Sequence, residues 1–169
     1  MTAPSLLRPG ALDGCAVVAG GAYAVACAEA GAAIVSPADA GPVDMLVVDG
    51  AVAFGSGGFE GLRAALDGAW GEVLAVAERH WLIDGGGAGA GGKLVLVAPR
   101  ADAGEHAVAA AAALENLART LAVEWARFGV RAVVVAPGPR STDDELTALV
   151  AFLASAGGEY FSGCRFDLR

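Results

Sequence analysis

The segment AALENLARTLAVEWARFGVRAVVVAPGP, from Ala112 to Pro139, contains a predicted helix followed directly by a predicted strand. Its first part is alanine-rich with few charges, and it predicts the end of a helix that begins near Gly104 and runs to Phe128. Gly129 follows where a left-handed helix cap favours glycine. The next run, RAVVVA (131–136), is β-branched and apolar on both faces, which predicts a buried strand.

The same alternation of helix and strand extends over the rest of the chain. Further helices are predicted at Ala22 to Ala30, after which Gly31 is a cap, from about Phe59 to Ile83, and at Thr142 to Ala154. Further strands are predicted by the runs CAVVA (15–19), AAIV (32–35), DMLVVD (44–49), KLVLVA (93–98) and the weaker CRFDL (164–168). The pattern predicts one α/β domain over residues 1–169, with a doubly wound, mostly parallel sheet of about six strands.

Composition limits the class of protein. Hydrophobic residues make up 56% of the chain and charged residues 18%, so the chain has the apolar surface that a folded protein needs. No apolar run approaches the roughly 18 residues that cross a bilayer, and no export signal is recognisable. The 11 basic residues, among them the single lysine Lys93, face 19 acidic ones, which leaves a net charge of −8. We therefore expect a cytoplasmic protein that binds neither nucleic acid nor a membrane.

Neither the cysteines nor the glycine-rich segment indicates a ligand site. Cys15, Cys27 and Cys164 are odd in number and lack C-x-x-C spacing, so we expect reduced, buried thiols and no metal. The run GGGAGAGG (85–92) follows no predicted strand and opens no predicted helix. It is therefore interpreted as a connector and not as a phosphate-binding loop.

The quoted segment resembles the short-chain dehydrogenase/reductase family, in which a long helix after the catalytic lysine leads into a strand ending in Pro-Gly. Other segments are similar to further parts of that family. They are LDGCAVVAGG (12–21) for the first strand, DMLVVDGAV (44–52) for DVLVNNAGV, WGEVLAVA (70–77) for WDRVLAVN, ELTALVAFLAS (145–155) for the penultimate helix and EYFSGCRFDLR (159–169) for the last strand. The resemblance covers nearly the whole chain and implies a Rossmann-like fold.

Three parts of the family pattern are missing. The family's turn TGxxxGxG lets backbone amides approach a pyrophosphate, but only Gly20 and Gly21 remain here. SPADAGPV (36–43) replaces a helix, a strand and another helix, and it places Ser36 where a ribose-binding acid is usual. PRSTDD (139–144) stands in place of a mobile substrate lid. We therefore expect a shortened fold with no NAD or NADP in this chain.

The resemblance also implies that the catalytic tetrad is absent. In the family an asparagine holds a water, a serine polarises the carbonyl, a tyrosine donates the proton, and a lysine tunes the tyrosine and binds the nicotinamide ribose. The corresponding positions hold Ala77, Ala98 or Pro99, Ala107 and Ala111. None of these residues can act as its counterpart does, so no catalytic residue of the family type is expected.

Several ionisable residues leave an enzymatic alternative open. His106 follows Glu105 beside the missing tyrosine position, although adjacent helical residues point about 100° apart. Asp49 ends a predicted strand, where ligands of open α/β sheets bind, but it also suits a capping or turn role. The alternative hypothesis is an enzyme. It would be a minimal NAD(P)-dependent reductase, or another atypical enzyme that uses Asp49, Glu105 or His106. His80 is predicted to have a surface or interface role.

A chain with this fold and no catalytic groups is expected to act through a partner. The helix 105–128 carries few charges, so its apolar surface exceeds what one sheet covers. In the family's oligomers this helix and the preceding long helix form a four-helix bundle, and the last helix and strand form a second interface. The predicted interface residues are Trp70, Leu74, Ala110, Leu114, Ala118, Ala122, Trp125, Phe152, Tyr160 and Phe161.

The resulting hypothesis is a non-catalytic subunit that supports an active short-chain dehydrogenase/reductase homologue in a heterodimer or heterotetramer. The resemblance implies that the partner would hold NAD or NADP and act on a ketone, a thioester-linked ketone or the corresponding alcohol. A homodimeric structural protein is a third option.

Because the family's third strand is missing from this sequence, the strand order of the sheet can also be predicted. In the family's numbering the order becomes 2-1-4-5-6-7, with all strands parallel, so the connection 36–43 must pass the first strand. Eight extended residues span roughly 26 to 29 Å, which is just sufficient.

Overall fold

The predicted strands form one parallel sheet in the computed structural model, which describes residues 7–82 and 91–169. The strands are β1 (Ala16–Val18), β2 (Ala33–Ile34), β3 (Met45–Asp49), β4 (Lys93–Val97), β5 (Arg131–Ala136) and β6 (Arg165–Asp167). The α-helices are α1 (Gly21–Glu29), α2 (Gly50–Phe54), α3 (Gly58–Val76), α4 (Ala107–Glu124) and α5 (Asp143–Ala154).

The strand order is β2-β1-β3-β4-β5-β6, and every neighbouring pair is parallel. This confirms the order predicted from the missing strand. The short connection from β2 to β3 passes β1 and is held from both sides. The indole Nε1 of Trp81 donates to the carbonyl of Val43 at 2.7 Å, and Nε2 of His80 lies 3.1 Å from the carbonyl oxygen of Pro37. On the β1 side, the backbone N–H of Ala16 donates to the carboxylate of Asp44.

Helices cover both faces of the sheet, which confirms the doubly wound α/β architecture. One apolar core lies between the sheet and α3 and α4, and it includes Val73 and Leu114. A second core lies between the other face and α1 and α5, and it includes Cys27 and Val150. Because both faces are covered, the central strands are apolar on both sides.

The helices after β3 differ from the prediction. A short helix, α2, follows β3 at once, because the carboxylate of Asp49 caps it. The long helix then runs from Gly58 and continues into a five-residue π-helix, Ala77–Trp81. It therefore ends before Ile83, which lies outside the described residues, as do residues 85–90 of the predicted glycine-rich connector.

The predicted helix Gly104 to Phe128 is shorter at both ends. His106 has a left-handed backbone (φ 69°), so α4 begins only at Ala107. A separate 3-10 turn, Ala126–Phe128, follows the helix. Among residues 7–82 and 91–169, no helix is long and apolar enough to cross a membrane.

The residues predicted to cap helices have the expected conformations, although Gly129 follows the 3-10 turn and not α4 itself. Gly31 and Gly129 have φ of 105° and 78°, the left-handed conformation expected of glycine caps. Thr142 and Glu145 form a complete capping box at the start of α5. The cysteine prediction is correct for Cys27, which is buried, but Cys15 and Cys164 are partly exposed because they lie at the ends of β1 and β6.

Lys93, at the start of β4, ties the sheet to the end of α5. Its Nζ donates to the carbonyls of Ala154 at 2.8 Å and Ser155 at 2.7 Å, and lies 3.7 Å from Oε1 of Glu159. The last turn of α5 therefore has a cationic donor for its unpaired carbonyls. Burial lowers the pKa of Lys93, while Glu159 opposes that shift.

Candidate functional site

A cavity of about 300 Å³ opens at the carboxyl ends of the strands. Its walls come from the first turns of α1, α2 and α5, from β4 and from the segments after β4 and β5. The polar residues on the wall are Tyr23, Asp49, Arg100, Asp143 and Thr147. This is the edge at which ligands of open α/β sheets bind.

Asp49 has the capping role that the sequence allowed. Its Oδ1 accepts hydrogen bonds from the backbone N–H groups of Ala51 at 3.0 Å and Val52 at 3.1 Å. Its second oxygen has no partner in the described part of the chain. The carboxylate thus holds α2 with one oxygen and presents the other at the cavity.

Arg100 holds the turn 138–141, in the segment that was predicted to replace a substrate lid. Its Nη1 donates to the carbonyl of Gly138 at 2.6 Å and to Oγ of Ser141 at 3.0 Å, and its Nη2 donates to the carbonyl of Ser141 at 2.8 Å. Nη2 also lies 3.6 Å from the carboxylate of Asp143. Sequence reasoning missed Arg100, although its place just after the buried strand β4 is a signal for this edge of the sheet.

Tyr23, on the first turn of α1, was also missed from the sequence. Its hydroxyl has no hydrogen-bond partner among residues 7–82 and 91–169. Burial, together with the charges of Asp49 and Asp143, raises the pKa of Tyr23 to about 12, while Arg100 opposes the shift. The phenol is therefore neutral at physiological pH.

The predicted tetrad positions hold buried alanines. Ala77, Ala98 and Ala111 belong to the core between the sheet and the helices α3 and α4. Ala107 packs in a smaller cluster with Phe54, and Pro99 is buried after Ala98. Methyl groups that contribute to the core therefore occupy these positions.

Glu105 and His106 lie together, which corrects the expectation that they point apart. Both precede α4, and the left-handed backbone of His106 brings its Nε2 to 3.6 Å from Oε1 of Glu105. Both residues are exposed, and neither lines the cavity that contains Asp49. Within the described residues, no three His, Cys, Asp or Glu side chains are grouped to hold a metal ion.

The remnant glycines lie in a very short turn. Only Ala19 and Gly20 separate β1 from α1, which begins at Gly21 without a side-chain cap. At the end of β2, the backbone N–H of Ser36 donates to the carboxylate of Asp39 at 2.7 Å. The carboxylate of Asp39 is therefore already used by a hydrogen bond within this turn.

The outer faces of α3 and α4 carry exposed apolar residues. Trp70 is 44% exposed, and its ring lies 6.4 Å from that of Trp125. Along α4, Val108 is 65% exposed and Val123 is 76% exposed. We call Trp70, Val108 and Val123, together with Trp125, which is half-buried and packs against the core, the outer apolar face.

Trp70 and Trp125 belong to the outer apolar face, and the structure divides the other predicted interface residues into three groups. Ala110, Leu114 and Ala118 are buried inside the chain, so their expected exposure was wrong: α4 turns this side of the helix toward its own core. Leu74 and Ala122 are half-buried beside the outer apolar face. Phe152 and Phe161 lie in the opposite layer, where they pack against the second core, and Tyr160 is exposed.

Comparison with solved structures finds the same fold in dehydrogenases. The citronellol catabolism dehydrogenase AtuB of Pseudomonas aeruginosa PAO1 aligns with a TM-score of 0.72 and 21% identity, covering 97% of each chain. A hydroxysteroid dehydrogenase from Escherichia coli aligns with a TM-score of 0.68 and 17% identity, over 92% of this chain and 96% of that one. A short chain dehydrogenase from Mycobacterium smegmatis aligns with a TM-score of 0.66 and 18% identity, over 100% of this chain and 97% of that one.

No protein-family model and no curated protein sequence matches the chain. The structural likeness therefore concerns the fold. The Rossmann-like architecture implied by the resemblance to short-chain dehydrogenases/reductases is confirmed.

Proposed function

We propose that this chain, which has the fold of short-chain dehydrogenases/reductases, is a non-catalytic subunit that pairs with an active homologue. The observation that carries the proposal is the outer apolar face, which is exposed while the tetrad positions contain core alanines. Exposed tryptophan and valine on two adjacent long helices are typical of a surface that another protein covers.

The residues present do not fit a bound dinucleotide, which supports a role without one in this chain. A turn of two residues after β1 offers few backbone amides to a pyrophosphate. The side chain of Tyr23, on the first turn of the helix that follows, lines the cavity. The cavity volume of about 300 Å³ is at the low end for small-molecule sites and is small for a dinucleotide together with its substrate. We therefore assign the reaction to the partner.

A partner of the same fold fits the outer apolar face better than an unrelated protein does. The helices α3 and α4 run in the same direction, because each connects two parallel strands. Two such pairs can pack against each other as a four-helix bundle, in which each pair buries the apolar face of the other. The chain's net charge of −8 disfavours close association of two identical copies, so the proposed occupant is a less acidic homologue. The resemblance implies that this homologue would bind NAD or NADP. It would interconvert an alcohol and a ketone, including a thioester-linked ketone.

Co-expression with a homologue tests the pairing. The homologue to use is one that is encoded next to this chain and has its own catalytic tyrosine, lysine and glycine turn intact. Native mass spectrometry is expected to show a mixed dimer or tetramer, and the homologue's reductase activity is expected to fall when this chain is omitted. Val123→Arg would place an unpaired charge in the interface and should dissociate the complex.

Val25→Arg on α1 is the matched control, because Val25 is 57% exposed and lies in the opposite layer. It should leave the complex intact. A stable monomer of this chain, together with a homologue that is fully active alone, would refute the proposal. A homodimer that Val123→Arg disrupts would replace the homologue with a second copy.

The enzymatic alternative has one observation in its favour, the approach of Glu105 to His106. Its test is turnover by the purified chain, with NAD(P)H and a ketone or with hydrolysable esters. Activity that is lost in His106→Gln and kept in His80→Gln would support this alternative.

A further inference from the structure

We propose that the cavity at the carboxyl ends of the strands binds a small organic ammonium ion, that is, a protonated amine with a compact apolar body. The site is independent of the proposed pairing, because α1, α2 and α5 line it and α3 and α4 do not. Neither proposal therefore depends on the other.

The shape and the walls of the cavity set the size and the apolar character of the ligand. The volume of about 300 Å³ suits a molecule much smaller than a dinucleotide. Val97, Pro137 and Leu146 form an apolar part of the wall. Burying a hydrocarbon ring or short chain against them would supply the non-directional part of the affinity.

The polar atoms that remain available on the wall are mainly acceptors. The second carboxylate oxygen of Asp49 has no partner in the described part of the chain. The hydroxyl of Thr147 donates to the backbone carbonyls of Asp143 at 3.0 Å and Asp144 at 3.1 Å, so it offers only lone pairs to a ligand. Tyr23 can also accept, and an ammonium group is a donor without acceptors.

Charge favours a cation over an anion. The guanidinium of Arg100 donates to Gly138 and Ser141 and lies 3.6 Å from the carboxylate of Asp143, so these two charges offset each other. The carboxylate of Asp49 has no such basic partner in the described part of the chain, and its charge remains at the cavity. Burial is the main cause of the raised pKa of Tyr23; the two carboxylates add to it and Arg100 opposes them. The uncapped N-terminus of α1 acts in the opposite direction, so the experiment includes an anion.

The experiment titrates the full chain with three probes that share one ring: cyclohexylammonium, cyclohexanol and cyclohexanecarboxylate. Two-dimensional amide NMR spectra locate binding through the Ala51 and Val52 amides, which donate to Asp49. Saturable shifts at these amides with cyclohexylammonium, at least ten-fold tighter than with the other two probes, are expected. Equal or tighter binding of the carboxylate, or no saturable shift with the ammonium, overturns the proposal.

Variants assign the binding to the named acceptors. Asp49→Asn keeps an oxygen that can cap α2 and removes the charge, so cyclohexylammonium should bind at least ten-fold more weakly. Thr147→Val removes a neutral acceptor without touching that cap and should weaken binding several-fold. Asp67→Asn, an exposed carboxylate on α3 that pairs with Arg63, is the matched control and should bind as the parent does. Unchanged binding in both Asp49→Asn and Thr147→Val also overturns the proposal.

Discussion

The buried indole of Trp81 donates a hydrogen bond to the carbonyl of Val43 at 2.7 Å, across 38 residues of sequence. Trp81 lies in the π-helix that ends the long helix, and Val43 ends the short connection between β2 and β3. This bond fixes the connection that is predicted from the sequence to replace a helix, a strand and another helix.

Trp81→Phe should therefore destabilise the protein by about 2 kcal/mol, because it leaves a buried carbonyl unpaired and a small void. Urea unfolding followed by circular dichroism measures the change. Trp70→Phe is the matched substitution at an exposed site and should change the free energy of unfolding by less than about 0.5 kcal/mol. Similar losses in the two variants would contradict the structural role of Trp81.

Gly92→Ala and Gly71→Ala should have opposite effects. A Cβ at Gly92 would overlap the Trp81 ring, so alanine forces the indole or the start of β4 to move, at a cost of about 2 kcal/mol or more. Gly71 is exposed within α3, and a Cβ there meets nothing within 4 Å, so alanine should stabilise the helix by about 0.5 to 1 kcal/mol. Thermal unfolding of both variants checks the two signs.

Stability should fall at high pH through Tyr23. Its pKa is about 12 in the folded protein against an ordinary value of 10.0, so the folded state keeps the phenol proton longer. The stabilising contribution is complete below about pH 10 and is lost as the pH rises through about 12. Urea unfolding across this range should show a smaller decline in Tyr23→Phe than in the parent chain. An identical decline in both would argue against a partly buried phenol with a raised pKa.

Lys93→Met should destabilise α5 without opening the sheet. The substitution keeps most of the apolar stem and removes the donor to the carbonyls of Ala154 and Ser155, which should cost about 1 to 3 kcal/mol. Hydrogen exchange is expected to increase most in the last turn of α5. Arg63→Met, which removes an exposed ion pair on α3, is the control and should have little effect.

The strands could be predicted because each is a short β-branched run. Their order and the two helical layers could be predicted because the missing strand leaves few ways to arrange the remaining strands in one parallel sheet. The buried side of α4 could not, because alanine on nearly every side of the helix gives no contrast between core and surface, as Ala110 and Ala118 show. The cavity escaped prediction for another reason. Tyr23, Arg100 and Thr147 come from distant segments and meet only when the sheet has formed.

The contacts of Lys93 also determine how the protein responds to amine-directed chemistry. This is the only lysine in the sequence, and its ammonium is directed into the end of α5 with a side chain that is 15% exposed. Acylating reagents and amine cross-linkers therefore have no freely accessible lysine side chain to modify, and reaction at Lys93 requires its ammonium to leave the carbonyls of Ala154 and Ser155. The extent of Lys93 acylation thus reports on the loss of this contact between β4 and the end of α5.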